Sequence, residues 1–231
     1  MPPAVELLDE SSVVGWARDH GLVPPGAAVT ARPLSGGISN VVLALAWADG
    51  GAVVKQSLPE LRVAQRWEFD RARVVTERKA IEYLASVIPG RVPEVIAFDD
   101  ADFAFAMTVA PNGGDVWKER LLRGQLDGST ARAAGETLGR IQLASRRDRD
   151  LLGAFDERMP LIQGRIDPYH RTAAALNPHL ADVVIPHAER LIAARDVLVL
   201  GDYAPKNLLA YPEIVFVIDL EVAHLGAAAV R

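Results

Sequence analysis

The chain has 231 residues, half of them hydrophobic, with a net charge of −5 and no cysteine. That length suits one large domain or two small lobes around a packed core. The acidic balance argues against general nucleic-acid binding, which draws on a basic excess, and the lack of cysteine excludes disulfides, thiolate metal sites and cysteine nucleophiles. Residues 1–10 carry Glu6, Asp9 and Glu10 and no basic side chain, unlike a secretory signal. No apolar run approaches the roughly 20 residues of a bilayer span. A soluble, cytoplasmic protein is expected, with neither nucleic acid nor membrane among its partners.

In chain order, residues 11–20 read as a short helix stopped by Gly21 and Pro24-Pro25-Gly26. Residues 29–57 are extended, with strand patterns at 41–47 and 52–57 around the hairpin signal Asp49-Gly50-Gly51. A long helix is predicted over 63–87. After Pro89-Gly90 and Pro93 come two further strands, 94–98 and 103–109. Beyond Pro111-Asn112-Gly113-Gly114 the pattern turns helical, at 117–122, 129–145 and 178–194. Ser129 or Thr130 can cap the second of these, with Ala134, Leu138, Ile141 and Ser145 on one face. Strand patterns at 197–200 and 214–218 follow. The picture is a β-rich first lobe, a linker near 110–115, and a mainly helical second lobe.

The sharpest chemical signal lies late in the chain. The apolar run Leu198-Val199-Leu200 leads to Gly201-Asp202, Asn207 follows five residues on, and a second strand ends in Asp219-Leu220-Glu221. A hairpin centred on Glu213 would set Tyr211 opposite Val215, Leu209 opposite Val217, and Asn207 opposite Asp219. Opposed side chains share a face about 5 Å apart. Oxygen donors converging there suit a hard cation such as Mg²⁺. Each residue alone suits an ordinary turn or strand end equally well.

Earlier, Leu34-Ser35-Gly36-Gly37-Ile38-Ser39-Asn40 precedes a strand hairpin, and paired glycines let backbone N–H groups face phosphate oxygens or simply make a tight turn. Lys55 ends an apolar strand run. In the following helix Val74, Glu77, Ile81 and Leu84 share one face, so Glu77 is the charged member of an apolar stripe. Such a carboxylate either pairs, with Lys55 the natural candidate, or reaches water at the edge of the stripe. Glu82 shares its face with Arg78 and Lys79, as a surface carboxylate would.

A glycine-containing loop, a strand Lys, a helix Glu, an Asp-x4-Asn segment and a strand ending in Asp stand in the order found in protein-kinase-like enzymes. The loop 34–40 resembles the nucleotide loop of the aminoglycoside phosphotransferase family. Gly201-Asp202-Tyr203-Ala204-Pro205-Lys206-Asn207-Leu208-Leu209 resembles that family's catalytic segment, and Ile218-Asp219-Leu220-Glu221 its metal-binding segment. The likeness extends over residues 34–226.

The resemblance implies an α+β, bilobal protein-kinase-like fold. Residues 1–110 would form an antiparallel-sheet, nucleotide-binding N-lobe with a leading helix, and residues 111–231 a mainly helical C-lobe. It implies a kinase that moves the γ-phosphate of ATP to a hydroxyl of a small molecule of the aminoglycoside, sugar or amino-alcohol class. Asp202 would orient or deprotonate the acceptor hydroxyl. Asn207 and Asp219 would hold Mg²⁺. Lys55, fixed by Glu77, would position the phosphates, which Ser35, Gly36, Gly37, Ser39 and Asn40 would cover. The linker segment containing Met107 and Val109 would meet the adenine.

Two departures stand out. Leu200 replaces the His usual two residues before the catalytic Asp, so the loop lacks a polar anchor there. The family also continues with further helices where this sequence ends in Ala227-Ala228-Ala229-Val230-Arg231. An incomplete C-lobe is therefore expected, with apolar surface open near the last strands and self-association through it. The alternative function is a truncated nucleotide-binding or scaffold protein of the same fold that transfers no phosphate. Residues 164–171, Gly-Arg-Ile-Asp-Pro-Tyr-His-Arg, resemble a segment of bacterial relatives such as methylthioribose kinases. There Arg165, Asp167 or Tyr169 would touch substrate, or the segment is a helix cap and turn.

Overall fold

The computed structural model describes residues 5–34, 37–64, 67–146 and 148–228. The extended first part becomes β1 (Thr30–Pro33), β2 (Asn40–Trp47) and β3 (Gly50–Ser57), joined by β4 (Val95–Asp99) and β5 (Ala104–Met107). They form one antiparallel sheet of order β1-β2-β3-β5-β4. Trp47 pairs with Gly50, so the β2–β3 turn is Ala48-Asp49, one step ahead of the Gly-Gly pair. Side chains alternate across a strand, and β3 uses both faces. Val54 joins Leu43, Leu45, Ala104 and Ala106 beneath α1 (Ser12–Asp19), which buries Val13, Trp16 and Ala17 there. Lys55 faces the other way, toward α2 (Arg73–Val87).

On α2 the expected stripe is in place: Val74, Glu77, Ile81 and Leu84 are all buried. The helix starts ten residues later than the sequence suggests, because the preceding segment is committed elsewhere. Arg73, wholly buried, donates to the carbonyls of Leu58, Phe69 and Asp70 at 2.7–3.0 Å and to that of Ser39. A continuous helix from residue 63 would engage the Phe69 and Asp70 carbonyls in its own backbone hydrogen bonds and leave them less free for this guanidinium.

The second part contains β6 (Asp115–Val116), α3 (Trp117–Leu122), α4 (Gly128–Ser145), α5 (Arg149–Ala154), α6 (Met159–Leu161), a π-helix (Ile162–Arg171), α7 (Thr172–Leu176) and α8 (Ala181–Ala193). The strands β7 (Val197–Val199), β8 (Leu208–Ala210), β9 (Val215–Val217) and β10 (His224–Gly226) complete it. Asp127, rather than Ser129 or Thr130, caps α4, accepting from the Ser129 N–H at 2.9 Å and the Thr130 hydroxyl at 2.8 Å. One core joins the two parts: Val74, Ile81 and Leu84 of α2 pack with Ile141 of α4 and with Leu198, Leu200, Leu208, Val215 and Leu220.

Two expectations change. The β8–β9 hairpin pairs Leu208 with Val217 and Leu209 with Phe216, one residue out of the expected register. The turn has two central residues, Pro212 and Glu213, closed by the Tyr211 N–H donating to Ile214 O at 3.0 Å, with Glu213 in the left-handed region at φ 65°. Asn207 and Asp219 are therefore not cross-strand partners. The last strands are also not open: Leu220, Val222, Ala223 and Leu225 are buried, β10 pairs with β7, and Leu225 N–H donates to Phe155 O. Among the described residues the most exposed large apolar side chains lie instead at Leu122, Leu126, Leu176 and Val183. Among the described residues no helix is long and apolar enough to cross a membrane.

His224 is 5% exposed, and its Nδ1–H donates to Val222 O at 2.7 Å. Burial pushes its pKa down to about 4. The unfolded chain takes up this proton at a higher pH than the folded one, so the stability tied to His224 is complete above about pH 6.5 and is lost as pH falls toward 4. His224→Asn, which keeps a donor for Val222 O, is expected to remove up to about 3 kcal/mol of the acid destabilisation between pH 7 and 4. Urea midpoints across that range test this; parallel pH profiles for both proteins would reject it.

Candidate functional site

The polar residues singled out in the sequence meet where α2, β3 and the segments flanking β8 and β9 converge. Lys55 Nζ lies 2.8 Å from Glu77 Oε1, 2.6 Å from Glu77 Oε2 and 2.7 Å from Asp219 Oδ1. Burial alone would pull the ammonium toward neutrality, but Asp219, Glu77 and Glu221 hold its pKa above the usual lysine range. Burial pushes the Glu77 carboxyl upward against the pull of Lys55. For Asp219 burial also acts upward, but Lys55, together with Lys206 and Arg165, outweighs it and the carboxyl stays below its ordinary value. Glu77 Oε1 additionally accepts the Leu220 N–H at 3.2 Å. Asp219 sits at φ 63°, a strained conformation for a residue with a side chain.

Beside this cluster lies a second one. Glu221 Oε2 accepts from Asn40 Nδ2 at 2.8 Å and from Arg73 Nε at 3.2 Å, and Asn40 Nδ2 also reaches Ser39 Oγ at 2.9 Å. Ser39 and Asn40, at the end of the glycine loop, are thereby fixed to the segment after β9. Gly37 is exposed, and a Cβ there would approach Asn40 O at 3.2 Å. Ser35 and Gly36 lie outside the described residues. Met107 is half-buried against the central core at the end of β5; Val109 is exposed, with a methyl beside Gly51.

Asp202 follows Gly201, whose φ of 74° and close approach to Val222 O admit no side chain. The Asp202 carboxylate pairs with Arg165 Nη2 at 2.9 Å and Lys206 Nζ at 2.6 Å. Asn207 Nδ2 donates to Asp202 O at 3.0 Å, and Asn207 O accepts the Ile218 N–H at 3.0 Å, so the backbone links Asn207 to the residue preceding Asp219. Tyr203 fastens the same loop to α4 by donating to Ala134 O at 2.8 Å. Leu200 is buried in the core.

Glu77, Asp219 and Glu221 bring carboxylate oxygens within 4.8 Å of one another. Lys55 and Arg73 neutralise two of the three charges from inside. Asp219 is the accessible member, its side chain 31% exposed against 1% for Glu77 and 10% for Glu221. A carboxylate and an amide oxygen are hard donors of the kind that suit Mg²⁺. Asp219 with Asn207 therefore fits such an ion chemically.

Sequence reasoning did not single out Arg73, Lys206 or Glu221. Arg73 was legible in principle: it stands four residues before Glu77 on the same helical face, so a second charge shares the apolar stripe. Arg165 stood out within its cluster, yet it contacts the Asp202 carboxylate rather than lying free for a substrate.

Residues 30–230 match the phosphotransferase enzyme family. The methylthioribose kinase of Bacillus cereus (strain B4264) is 24% identical, over 95% of this chain and 62% of its own length. The chain thus spans less than two thirds of that relative. Among solved structures, aminoglycoside phosphotransferase APH(4)-Ia superposes with a TM-score of 0.56 at 16% identity, over 95% of this chain and 74% of that one. Spectinomycin phosphotransferase APH(9)-Ia, in complex with ADP and spectinomycin, does so at 0.54 and 11%, over 95% and 71%. The shared fold is the protein-kinase-like one, an antiparallel sheet followed by a mainly helical part, and with most of its length matched the chain belongs to the phosphotransferase enzyme family.

Proposed function

We propose that this protein is a kinase that transfers the γ-phosphoryl group of ATP to a hydroxyl of a small molecule. The observation that carries the reading is the buried Lys55 ammonium held between Glu77 and Asp219, 2.6–2.8 Å from each. Such a cation is desolvated, fixed in direction, and next to the most exposed carboxylate of the cluster. That is the preorganised charge that phosphoryl transfer needs, since the reaction is mainly positioning and charge stabilisation. The complex of a fold relative with ADP and spectinomycin supports a nucleotide donor and a small-molecule acceptor.

In this reading Lys55 exchanges one carboxylate contact for the nucleotide phosphates while Glu77 keeps it in place. Gly37, Ser39 and Asn40, with Ser35 and Gly36 before them, cover the phosphates. Met107 and Val109 lie on the segment that meets the adenine. Asn207 and Asp219 would hold Mg²⁺, which neutralises phosphate charge when bound. The Asp202 carboxylate orients the acceptor hydroxyl and takes its proton. The new bond joins that oxygen to the γ-phosphorus, and the bond from phosphorus to the bridging oxygen breaks, releasing ADP. Residues 1–110 supply the nucleotide side and residues 111–231 the acceptor side. The likeness to a methylthioribose kinase favours a sugar-like acceptor within the wider group of sugars, amino alcohols and aminoglycosides. ATP as donor and the absence of cysteine favour the cytoplasm as the place of action.

Two measurements test this. Mg²⁺ with ATP at 100 times its Kd is expected to stabilise the folded chain by about 2.7 kcal/mol, read as a rise in Tm. Asp219→Asn should lose the Mg²⁺-dependent part of that rise; a rise that survives the substitution would remove Asp219 from the metal site. Separately, Asp202→Ala should lower ADP release at least about 10²-fold while ATP binding is retained. Unchanged turnover in that variant would sink the assignment of Asp202.

A further inference from the structure

Arg165 comes from the π-helix that precedes α7. Pro168 lies four residues after Gly164 and has no N–H to give it, so an α-helical turn would leave Gly164 O without its usual partner. Here that carbonyl accepts from Arg165 Nη1 at 3.0 Å. The helix is pinned from outside as well. Trp67 Nε1 donates to Gln163 O at 3.0 Å, and the Asp70 N–H donates to Gln163 Oε1 at 2.9 Å. A Cβ on Gly164 would stand 3.1 Å from Phe69 and 3.3 Å from Val222. The same Val222 presses against Gly201 from the other side, so helix and loop are seated on one residue.

From this fixed base the guanidinium spans the loop. Nε donates to Gly201 O at 2.7 Å and Nη2 meets Asp202 Oδ2 at 2.9 Å. Three of its nitrogens thus have protein partners, in the planar fork that only Arg presents. Lys206 also reaches Oδ2, but its side chain is 52% exposed, against 24% for Arg165. Leu200, buried and apolar, offers the loop no polar support from the strand side.

We propose that Arg165 is a positioning residue that locks the Gly201 carbonyl and the Asp202 carboxylate in one orientation for phosphoryl transfer. The inference rests on the reading of Asp202 given above and acts through it. The π-helix exists, in this view, to aim one guanidinium at the loop.

The test uses the full chain, Mg²⁺-ATP and water as acceptor, with ADP release as readout. Arg165→Met is expected to lower kcat about 10²-fold, as misplacement by roughly 1 Å does, while KM for ATP and Tm stay close to those of the parent. Arg165→Lys should restore only part of the rate, because one ammonium cannot span both Gly201 O and Asp202 Oδ2. Because Arg165 works through Asp202, the double variant Arg165→Met/Asp202→Asn should be no slower than Asp202→Asn alone. Losses that multiply in the double variant would overturn the proposal, as would a KM or Tm effect that accounts for the whole loss. A second measurement needs no turnover: amide hydrogen exchange over residues 201–207 should rise at least tenfold in Arg165→Met, with β3 and α2 unchanged. Unchanged loop exchange refutes the positioning role. If Asp202→Asn leaves ADP release intact, the reading of Asp202 fails, and loop exchange alone decides whether Arg165 holds the loop.

Discussion

A charge removed from water must be paired, and in this protein the requirement falls on Lys55. Its ammonium is buried under α2 and is stable there only because Glu77 and Asp219 both reach it. Taking one partner from such a buried pair costs about 3–5 kcal/mol. The constraint therefore ties β3, α2 and the segment after β9 into one arrangement. The backbone follows the charge: Asp219 accepts a left-handed conformation, and the Leu220 N–H turns inward to Glu77.

Arg73 imposes a similar constraint one helical turn away. It gathers the carbonyls of Ser39, Leu58, Phe69 and Asp70 and offers its Nε to Glu221. The end of the glycine loop, the segment before α2 and the segment after β9 share this one guanidinium. On the far side Arg165 and Lys206 face Asp202, and both lie near enough to help hold the Asp219 carboxyl ionised. Four cations thus face four carboxylates across the site: Lys55, Arg73, Arg165 and Lys206 against Glu77, Asp202, Asp219 and Glu221.

Much of this was legible in the sequence, and the limits are physical. The Lys55–Glu77 contact follows from a Lys after an apolar strand run and a charged residue on an apolar helical face. The strands of the first sheet follow from alternation and turn residues. The expected pairing of Asn207 with Asp219 rested on a hairpin register that does not form, because Pro212-Glu213 makes a two-residue turn that shifts β9 by one; what links the two segments is the backbone bond from Ile218 to Asn207 O. The start of α2 was not legible, since residues 63–72 can be written as helix and are kept out of it by a guanidinium that needs their carbonyls. Likewise the cluster around Pro168 was visible, but the wide helical turn and its aim at Asp202 depend on partners distant in sequence.

The long-range polar contacts also bear on how the chain can fold as it is made. Asn40 waits for Glu221 across 181 residues, Lys55 for Asp219 across 164, and Arg73 for Glu221 across 148. A nascent chain that has released the first sheet and α2 holds Lys55 with Glu77 alone and Arg73 with no carboxylate from beyond β9. The early half can collapse around its apolar face, but its charged side stays incompletely neutralised until residues 219–221 leave the ribosome. Contacts this distant in sequence are closed late and slowly. The site that is proposed to work on nucleotide is then also a late clasp of the fold, and synthesis must pass residue 221 before the first sheet becomes a finished lobe.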